Sequence, residues 1–140
     1  MRLQIAAANW KMNKTHREGV RLFEDILSRL STLPHSRNTR VVIAPPFIHL
    51  HELNNAHQRL IKNPRFAPLE IFLAAQNCSH EKQGAFTGEI SAEMVKSAGA
   101  HYVIIGHSER RSHFHEDNNM LSKKTDRVLE IGASHPARTK

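Results

Sequence analysis

The sequence predicts an α/β protein built on a parallel sheet, and three observations carry this prediction. Four short apolar runs begin near Leu3, Val41, Ile71 and Tyr102, about 30 to 38 residues apart. Segments between these runs repeat apolar residues at helical spacing. Polar residues follow directly where the runs end. Strands that alternate with helices at this interval indicate βα units, and the chain contains four of them.

The first unit combines a strand over residues 3–8 with a helix that begins after Thr15. Thr15 and Glu18 form a capping-box pattern, in which each side chain satisfies a backbone N–H at the start of the helix. Apolar residues then follow at helical spacing, and Pro34 prevents continuation. The predicted buried face consists of Val20, Phe23, Ile26, Leu27 and Leu30.

The second and third units follow the same pattern. Residues 40–44 are apolar on both faces, which suits a strand covered by helices on one side, and Pro45 and Pro46 end it. A weaker helix is predicted over residues 48–60. The third strand is predicted over residues 69–75, and Asn77 lies at its C-terminal end.

A loop precedes the fourth unit. Residues 81–89 contain two glycines and few aliphatic residues, and Phe86 is an apolar side chain that a loop would normally hide. Ser91 is predicted to cap a short helix that Gly99 ends.

The fourth strand is predicted from Tyr102 to Gly106, and a last helix from Asp117 or Asn118 to just before Gly132. We therefore expect one domain over residues 1–132. Residues 133–140 contain no apolar run that would make a fifth strand, and we expect them to form a disordered basic tail.

The composition narrows the classes of function. A chain of 140 residues with 39% hydrophobic content suffices for one core. The net charge of +7 and pI near 10.1 suit an anionic partner, but the basic residues are scattered and lack interleaved aromatics, which argues against nucleic acid. Cys78 is the only cysteine, so no intrachain disulfide is possible. No membrane span or signal peptide is predicted, and we expect a soluble, cytoplasmic protein.

Polar side chains at the strand ends are the candidate site. His107 follows the fourth strand, and Ser108 is available to cap a short helix there. Asn9 and Lys11 are two positions apart after the first strand, which in an extended segment aims both at one face. Ligand sites of parallel α/β folds form at this end of the strands. The alternatives are a hydrogen-bonded loop histidine and a solvated surface lysine.

Three motifs are similar in order and spacing to the triosephosphate isomerase family. They are residues 9–13 (NWKMN), 84–89 (GAFTGE) and 105–111 (IGHSERR), and the resemblance covers about residues 4–132. It implies the first four βα units of a (β/α)₈ barrel, that is, a half-barrel. It also implies an enzyme that interconverts dihydroxyacetone phosphate and glyceraldehyde 3-phosphate, in glycolysis and gluconeogenesis, without a cofactor.

The resemblance also implies roles for individual residues. Asn9 and Lys11 meet the substrate, His107 is the neutral electrophile, and Glu109 is a supporting acidic residue.

A homodimer is implied as well. In it, Phe86 and Thr87 belong to the loop that enters the partner subunit, and Asn77 lies beside the same interface and supports Lys11.

The chain also departs from the family. Such barrels need about 250 residues and eight strands. The family's catalytic glutamate, its closing lid and its phosphate-binding loops have no counterpart here, so we expect the isolated chain to be inactive. His115 stands where the family usually has glycine. The alternatives are a non-catalytic half-barrel that acts in assembly or binds phosphate weakly, and a basic nucleic-acid binder.

Two histidine pairs, His49 with His51 and His113 with His115, have a spacing that suits a strand-borne metal pair. Both fall in predicted helix or turn segments without an obvious third ligand, so we predict no metal site.

Overall fold

The computed structural model describes residues 3–33, 39–66 and 70–133, which form a four-stranded parallel half-barrel with helices on one face. The strands run side by side in the order β1, β2, β3, β4. This confirms the predicted fold class. The elements are β1 (Gln4–Asn9), α1 (His16–Leu30), β2 (Thr39–Ala44), α2 (Phe47–Leu60), β3 (Ile71–Ala75), α3 (Ala92–Ser97), β4 (Tyr102–Val103), α4 (Ser108–His113) and α5 (Asn118–Ala133).

The two faces of the sheet bury different sets of residues. The outer face contributes Ile43, Ile71 and Leu73 to the main core, where they pack with α1 and α2. The inner face buries a smaller cluster around Val42 and Ala74. Because side chains alternate along a strand, β2 and β3 contribute to both clusters, which for β2 was predicted from its apolar run.

Helix α1 forms as its sequence predicts. The backbone N–H of Thr15 donates to Oε2 of Glu18 at 2.8 Å, which is the predicted capping-box contact. Phe23 and Leu27 are fully buried against the sheet, and Val20, Ile26 and Leu30 pack partly against the same core. The capping box thus fixes where the helix starts, and the apolar spacing fixes which face packs.

Strand β4 is shorter than predicted. The sequence predicted a strand from Tyr102 to Gly106, whereas the structure has only Tyr102–Val103. Their partners are Ala74 and Ala75 at the end of β3, and the N–H of Ile104 still donates to the carbonyl of Ala75 at 2.8 Å. Within the described residues, the pairing of β4 with β3 stops where β3 ends, at Ala75. Apolar character alone therefore overestimates the length of β4.

The two glycines predicted to end helices behave differently. Gly99 has a φ of 97° and ends α3 as predicted. Gly132, by contrast, is not in the left-handed region, and α5 continues through it to Ala133. The prediction of a helix end before Gly132 was therefore wrong, because a glycine ends a helix only where it leaves helical geometry.

Two predictions concern segments outside the described residues. The proposed basic tail falls almost wholly within residues 134–140, and Leu69, the proposed start of the third strand, is among residues 67–69. The domain boundary at residue 132 therefore stays a prediction.

Candidate active site

Lys11 lies just beyond β1, in a turn rather than in an extended segment. Its φ of 54° is in the left-handed region, so the expectation that Asn9 and Lys11 share one face of an extended strand was wrong. Instead, Oδ1 of Asn9 accepts a hydrogen bond from the N–H of Lys11 at 3.0 Å. The side-chain amide of Gln76 donates to the carbonyl of Lys11 at 3.0 Å and to that of Ala44 at 2.8 Å. The turn is thus tied to the ends of β2 and β3.

His107 is itself the N-cap of α4. Its Nδ1 accepts the N–H of Glu109 at 3.2 Å, whereas Ser108 is already the first residue of the helix. The predicted Ser108 cap was wrong because the imidazole ring reaches the second helical N–H. Since that N–H can only donate, Nδ1 acts as the acceptor and the ring proton of the neutral form is on Nε2.

Glu109 brings the lysine and the histidine together. Nζ of Lys11 lies 2.5 Å from Oε1 of Glu109, and Nδ1 of His107 lies 3.6 Å from Oε2. The hydrogen bond from Lys11 is the main cause that lowers the pKa of Glu109, so this carboxyl is ionised at neutral pH. An ammonium and an imidazole from opposite edges of the half-barrel therefore converge on one residue, because the Glu109 carboxylate accepts from Lys11 and the Glu109 backbone N–H donates to His107.

A second charged cluster is centred on the buried side chain of Glu116. Oε1 of Glu116 accepts hydrogen bonds from Nε of Arg110 and Nζ of Lys124, both at 2.6 Å. Lys124 also donates to Oδ1 of Asn77 at 2.7 Å. Burial raises the pKa of Glu116, but the hydrogen bonds from Lys124 and Arg110 outweigh it, and the net pKa is lowered.

Sequence reasoning missed this cluster, although one signal was present. Lys124 lies between Leu121 and Val128 at the spacing of the apolar face of α5, so helical periodicity alone places it on the buried side. His115, which precedes Glu116, has a φ of 53°. A left-handed residue here is consistent with the glycine expected at this position.

The residues expected at a dimer interface are placed as follows. Asn77 contacts Lys124, and it is the neighbouring Gln76 that reaches Lys11, so the direct support of Lys11 expected from Asn77 is not made. Phe86 and Thr87 are exposed in the loop between β3 and α3, and 44% of Phe86 is accessible. Exposed loop aromatics suit a contact with another surface.

Within residues 3–33, 39–66 and 70–133, no group of three or more histidine, cysteine, aspartate or glutamate side chains is arranged to hold a metal ion. No helix of the described segments is long and apolar enough to cross a membrane.

The fold and the site together define a class of protein, namely a parallel βα half-barrel that carries an ammonium and an imidazole at the ends of its outer strands. The sequence profile described as triosephosphate isomerase matches residues 4–135. The chain therefore belongs to the triosephosphate isomerase family.

Individual relatives agree with this. The chain is 45% identical over 132 residues to triosephosphate isomerase of Porphyromonas gingivalis (strain ATCC BAA-308 / W83). This alignment covers 94% of the present chain and 48% of the relative. The chain is 40% identical over 129 residues to that of Amoebophilus asiaticus (92% and 47%) and 44% identical over 124 residues to that of Caldanaerobacter subterraneus subsp. tengcongensis (89% and 45%). The chain thus spans about half the length of the relatives it matches.

Proposed function

We propose that this chain supplies the electrophilic half of a triosephosphate isomerase active site. In this reaction a proton moves between adjacent carbons of a triose phosphate through an enediolate, so negative charge grows on the substrate oxygens. A site for this reaction must polarise a carbonyl and stabilise the developing charge. Lys11 would provide the positive charge, and His107 would donate a hydrogen bond from Nε2.

The observation that carries the proposal is the convergence of Lys11 and His107 on Glu109. Oε1 of Glu109 accepts a hydrogen bond from the Lys11 ammonium at 2.5 Å, and the backbone N–H of Glu109 donates one to Nδ1 of the His107 imidazole. Both donors are thereby oriented before substrate arrives, which is the arrangement that lowers a barrier most effectively. Asn9 would complete the substrate-binding group through its contact with the Lys11 backbone.

The base that takes the proton from carbon would come from the part of the relatives that this chain does not match. Two carboxylates near the site suit this role poorly. Glu109 is paired with Lys11 and its pKa is lowered, and Glu116 is buried between Arg110 and Lys124. We therefore expect the 140-residue chain alone to show no isomerase activity.

We further propose that the complete enzyme acts in the cytoplasm, without a cofactor, as a homodimer in which the loop bearing Phe86 and Thr87 enters the partner, with Asn77 beside the interface. The exposed Phe86 supports the homodimer, because burying an aromatic side chain that protrudes from a loop is energetically favourable.

The experiment is reconstitution from two halves. The chain is purified from a host that lacks its own isomerase, and the unmatched second half of the Porphyromonas gingivalis enzyme is expressed separately. A coupled assay follows the chain alone, the second half alone and the mixture. We expect turnover only from the mixture, and a loss of about 10²- to 10⁴-fold in a His107→Gln variant.

Two results would contradict the proposal. Activity of the chain alone that disappears in His107→Gln would place the base within these 140 residues. No activity from halves that are folded and associated would favour a non-catalytic half-barrel that acts in assembly or binds phosphate weakly. Calorimetric titration with a phosphoglycolate-type anion, with Lys11→Met as control, would test the latter.

A further inference from the structure

Lys11 belongs to a turn in which two residues have a left-handed backbone conformation. We call residues 10–15, between β1 and α1, the Lys11 turn. Within it, φ is 54° at Lys11 and 75° at Lys14. Residues that bear side chains adopt this region only where the surrounding structure fixes them. Each of the two lysines therefore needs partners for its backbone, and those of Lys11 are Asn9 and Gln76.

The partner of Lys14 is His49, in the first turn of α2. Nε2 of His49 lies 3.2 Å from the carbonyl oxygen of Lys14. Because a carbonyl only accepts, Nε2 carries the proton in this contact. His49 is fully buried, and its Nδ1 has no hydrogen-bond partner among the described residues. The hydrogen bond that this buried ring makes therefore goes to the Lys11 turn.

The ring of His49 is fixed in place by its neighbours. Trp10 packs against it in an edge-type arrangement with ring centroids 5.9 Å apart, and His16 stacks on it with centroids 6.0 Å apart. Gly19 of α1 leaves the space that the ring fills, because a Cβ at this position would lie 2.4 Å from Cε1 of His49. A side chain at position 19 and the observed position of His49 exclude each other.

We infer that His49 is a positioning residue, which holds the Lys14 end of the Lys11 turn so that the ammonium of Lys11 stays against Glu109. Without this hydrogen bond the turn can relax toward the ordinary right-handed or extended backbone, which redirects the Lys11 side chain. The effect on catalysis rests on the proposed function. The effect on the contact between Lys11 and Glu109 does not.

A titration of Glu109 tests this directly. The Lys11 hydrogen bond is the main cause of the lowered pKa of Glu109, so that pKa reports whether the ammonium is in place. Carboxyl ¹³C NMR would follow Glu109 in the unaltered chain and in Lys11→Met, which sets the value without the contact. We expect His49→Leu and Gly19→Ala to move the pKa of Glu109 upward toward the Lys11→Met value.

Two variants serve as controls. His49→Gln retains an N–H donor for the Lys14 carbonyl, and we expect it to keep most of the lowered pKa. Gly132→Ala is a matched glycine replacement in α5, where nothing lies within 4 Å of the added Cβ, and it should leave Glu109 unchanged. Since alanine favours a helix over glycine, any harm from Gly19→Ala comes from the collision with His49.

The inference is overturned if His49→Leu and Gly19→Ala are folded and Glu109 keeps its low pKa in both. It is also overturned if both variants unfold while Gly132→Ala folds, because His49 would then act in global stability only.

Activity of the reconstituted enzyme gives a second measurement. A displaced catalytic group costs up to about 10²-fold in rate, so we expect His49→Leu to lower kcat and His49→Gln to restore part of it. If the mixture of the two unaltered halves is inactive, the proposed function fails, while the titration of Glu109 still decides the role of His49.

Discussion

Nζ of Lys11 and Oε1 of Glu109 lie 2.5 Å apart although 98 positions separate the two residues in the chain. One residue follows β1 and the other is in α4, directly after β4, so the pair joins the two edges of the half-barrel. Both side chains are about half exposed, at 54% and 45%. Exposed pairs contribute little to stability, so the pair matters for orientation.

The first prediction concerns this pair. Glu109→Gln removes the carboxylate that holds the ammonium, and Lys11 becomes free to turn toward solvent. We expect the activity of the reconstituted isomerase to fall by up to about 10²-fold, with little change in the unfolding free energy.

Glu52→Gln is the matched control, because Glu52 forms an exposed pair with Arg59 away from the site. Equal activity of the Glu109 and Glu52 variants would show that the carboxylate has no role in orienting Lys11.

The second prediction concerns the buried cluster. Glu116→Gln leaves the charges of Lys124 and Arg110 without a counter-charge, and we expect the unfolding free energy to fall by about 3–5 kcal/mol. The pKa of Glu116 is lower in the folded than in the unfolded state. Its contribution to the unfolding free energy is therefore complete above the unfolded-state pKa of about 4.5, and it is lost as the pH falls toward the folded-state pKa.

Urea denaturation at neutral and acidic pH checks this, with Glu130→Gln, a variant of an exposed pair with Arg127, as the control. The difference between Glu116→Gln and the unaltered chain should shrink in acid. A constant difference, or a loss no larger than that of the control, would contradict the prediction.

The third prediction concerns His57. Burial, followed by the nearby His101, lowers its pKa below the ordinary value near 6.5. A histidine buried in the neutral state stabilises the fold above that value, and this contribution is lost as the pH falls from about 6.5 toward the folded pKa. We expect His57→Leu to flatten the decline of the unfolding free energy between neutral and mildly acidic pH.

His51→Leu is the control for a histidine on the same helix, because His51 is exposed and its ring is hydrogen-bonded to Asn55. If the His57 and His51 variants show the same pH dependence as the unaltered chain, the acid sensitivity has another origin.

The fourth prediction concerns the left-handed residue His115. Its φ of 53° costs a residue with a side chain about 1–2 kcal/mol, whereas glycine adopts it freely but has more freedom when unfolded. We expect His115→Gly to raise the unfolding free energy by about 0.5–1 kcal/mol. A thermal shift upward checks this. The same replacement at His113, which is helical, should lower the melting temperature instead.

The fifth prediction concerns the edges of the sheet. Within the described segments β1 pairs only with β2, and Ile5 on its inner face is 58% exposed. An apolar groove lined by Val95, Val103 and Val128 adjoins β4 at the other edge. Unpaired strand edges bind other edges, so we expect the 140-residue chain to self-associate.

Sedimentation at micromolar concentrations checks this association. We expect Ile5→Lys to weaken it, since a charge on an edge strand opposes pairing. A folded monomer throughout the concentration range would contradict the prediction.

Sequence reasoning worked where the determining interactions are local. The capping box of Thr15 and Glu18 and the apolar spacing after it fix α1 from neighbouring residues alone. The continuous apolar run of β2 likewise reveals its burial on both faces. These features depend on the backbone geometry of a single element, which the order of residue types encodes directly.

It failed where a distant partner decides. The length of β4 depends on where β3 ends, and the hydrogen-bond partners that let Lys124 be buried, Asn77 and Glu116, come from two other segments. The left-handed φ of Lys11 depends on Gln76, 65 positions away. The motif at residues 9–13 predicted that Lys11 would be in the site. The way in which Lys11 reaches Glu109 required the folded chain.

The burial of Lys124 has a consequence for chemical labelling. Its side chain is 3% exposed, and its ammonium is hydrogen-bonded to both Glu116 and Asn77, so an amine-reactive reagent cannot reach it in the native protein. Lysines on the surface, such as Lys82, are modified from solvent. Acetylation of Lys124 therefore requires that α5 detach transiently from the rest of the fold. Its rate, followed by mass spectrometry, reports how often this local opening occurs.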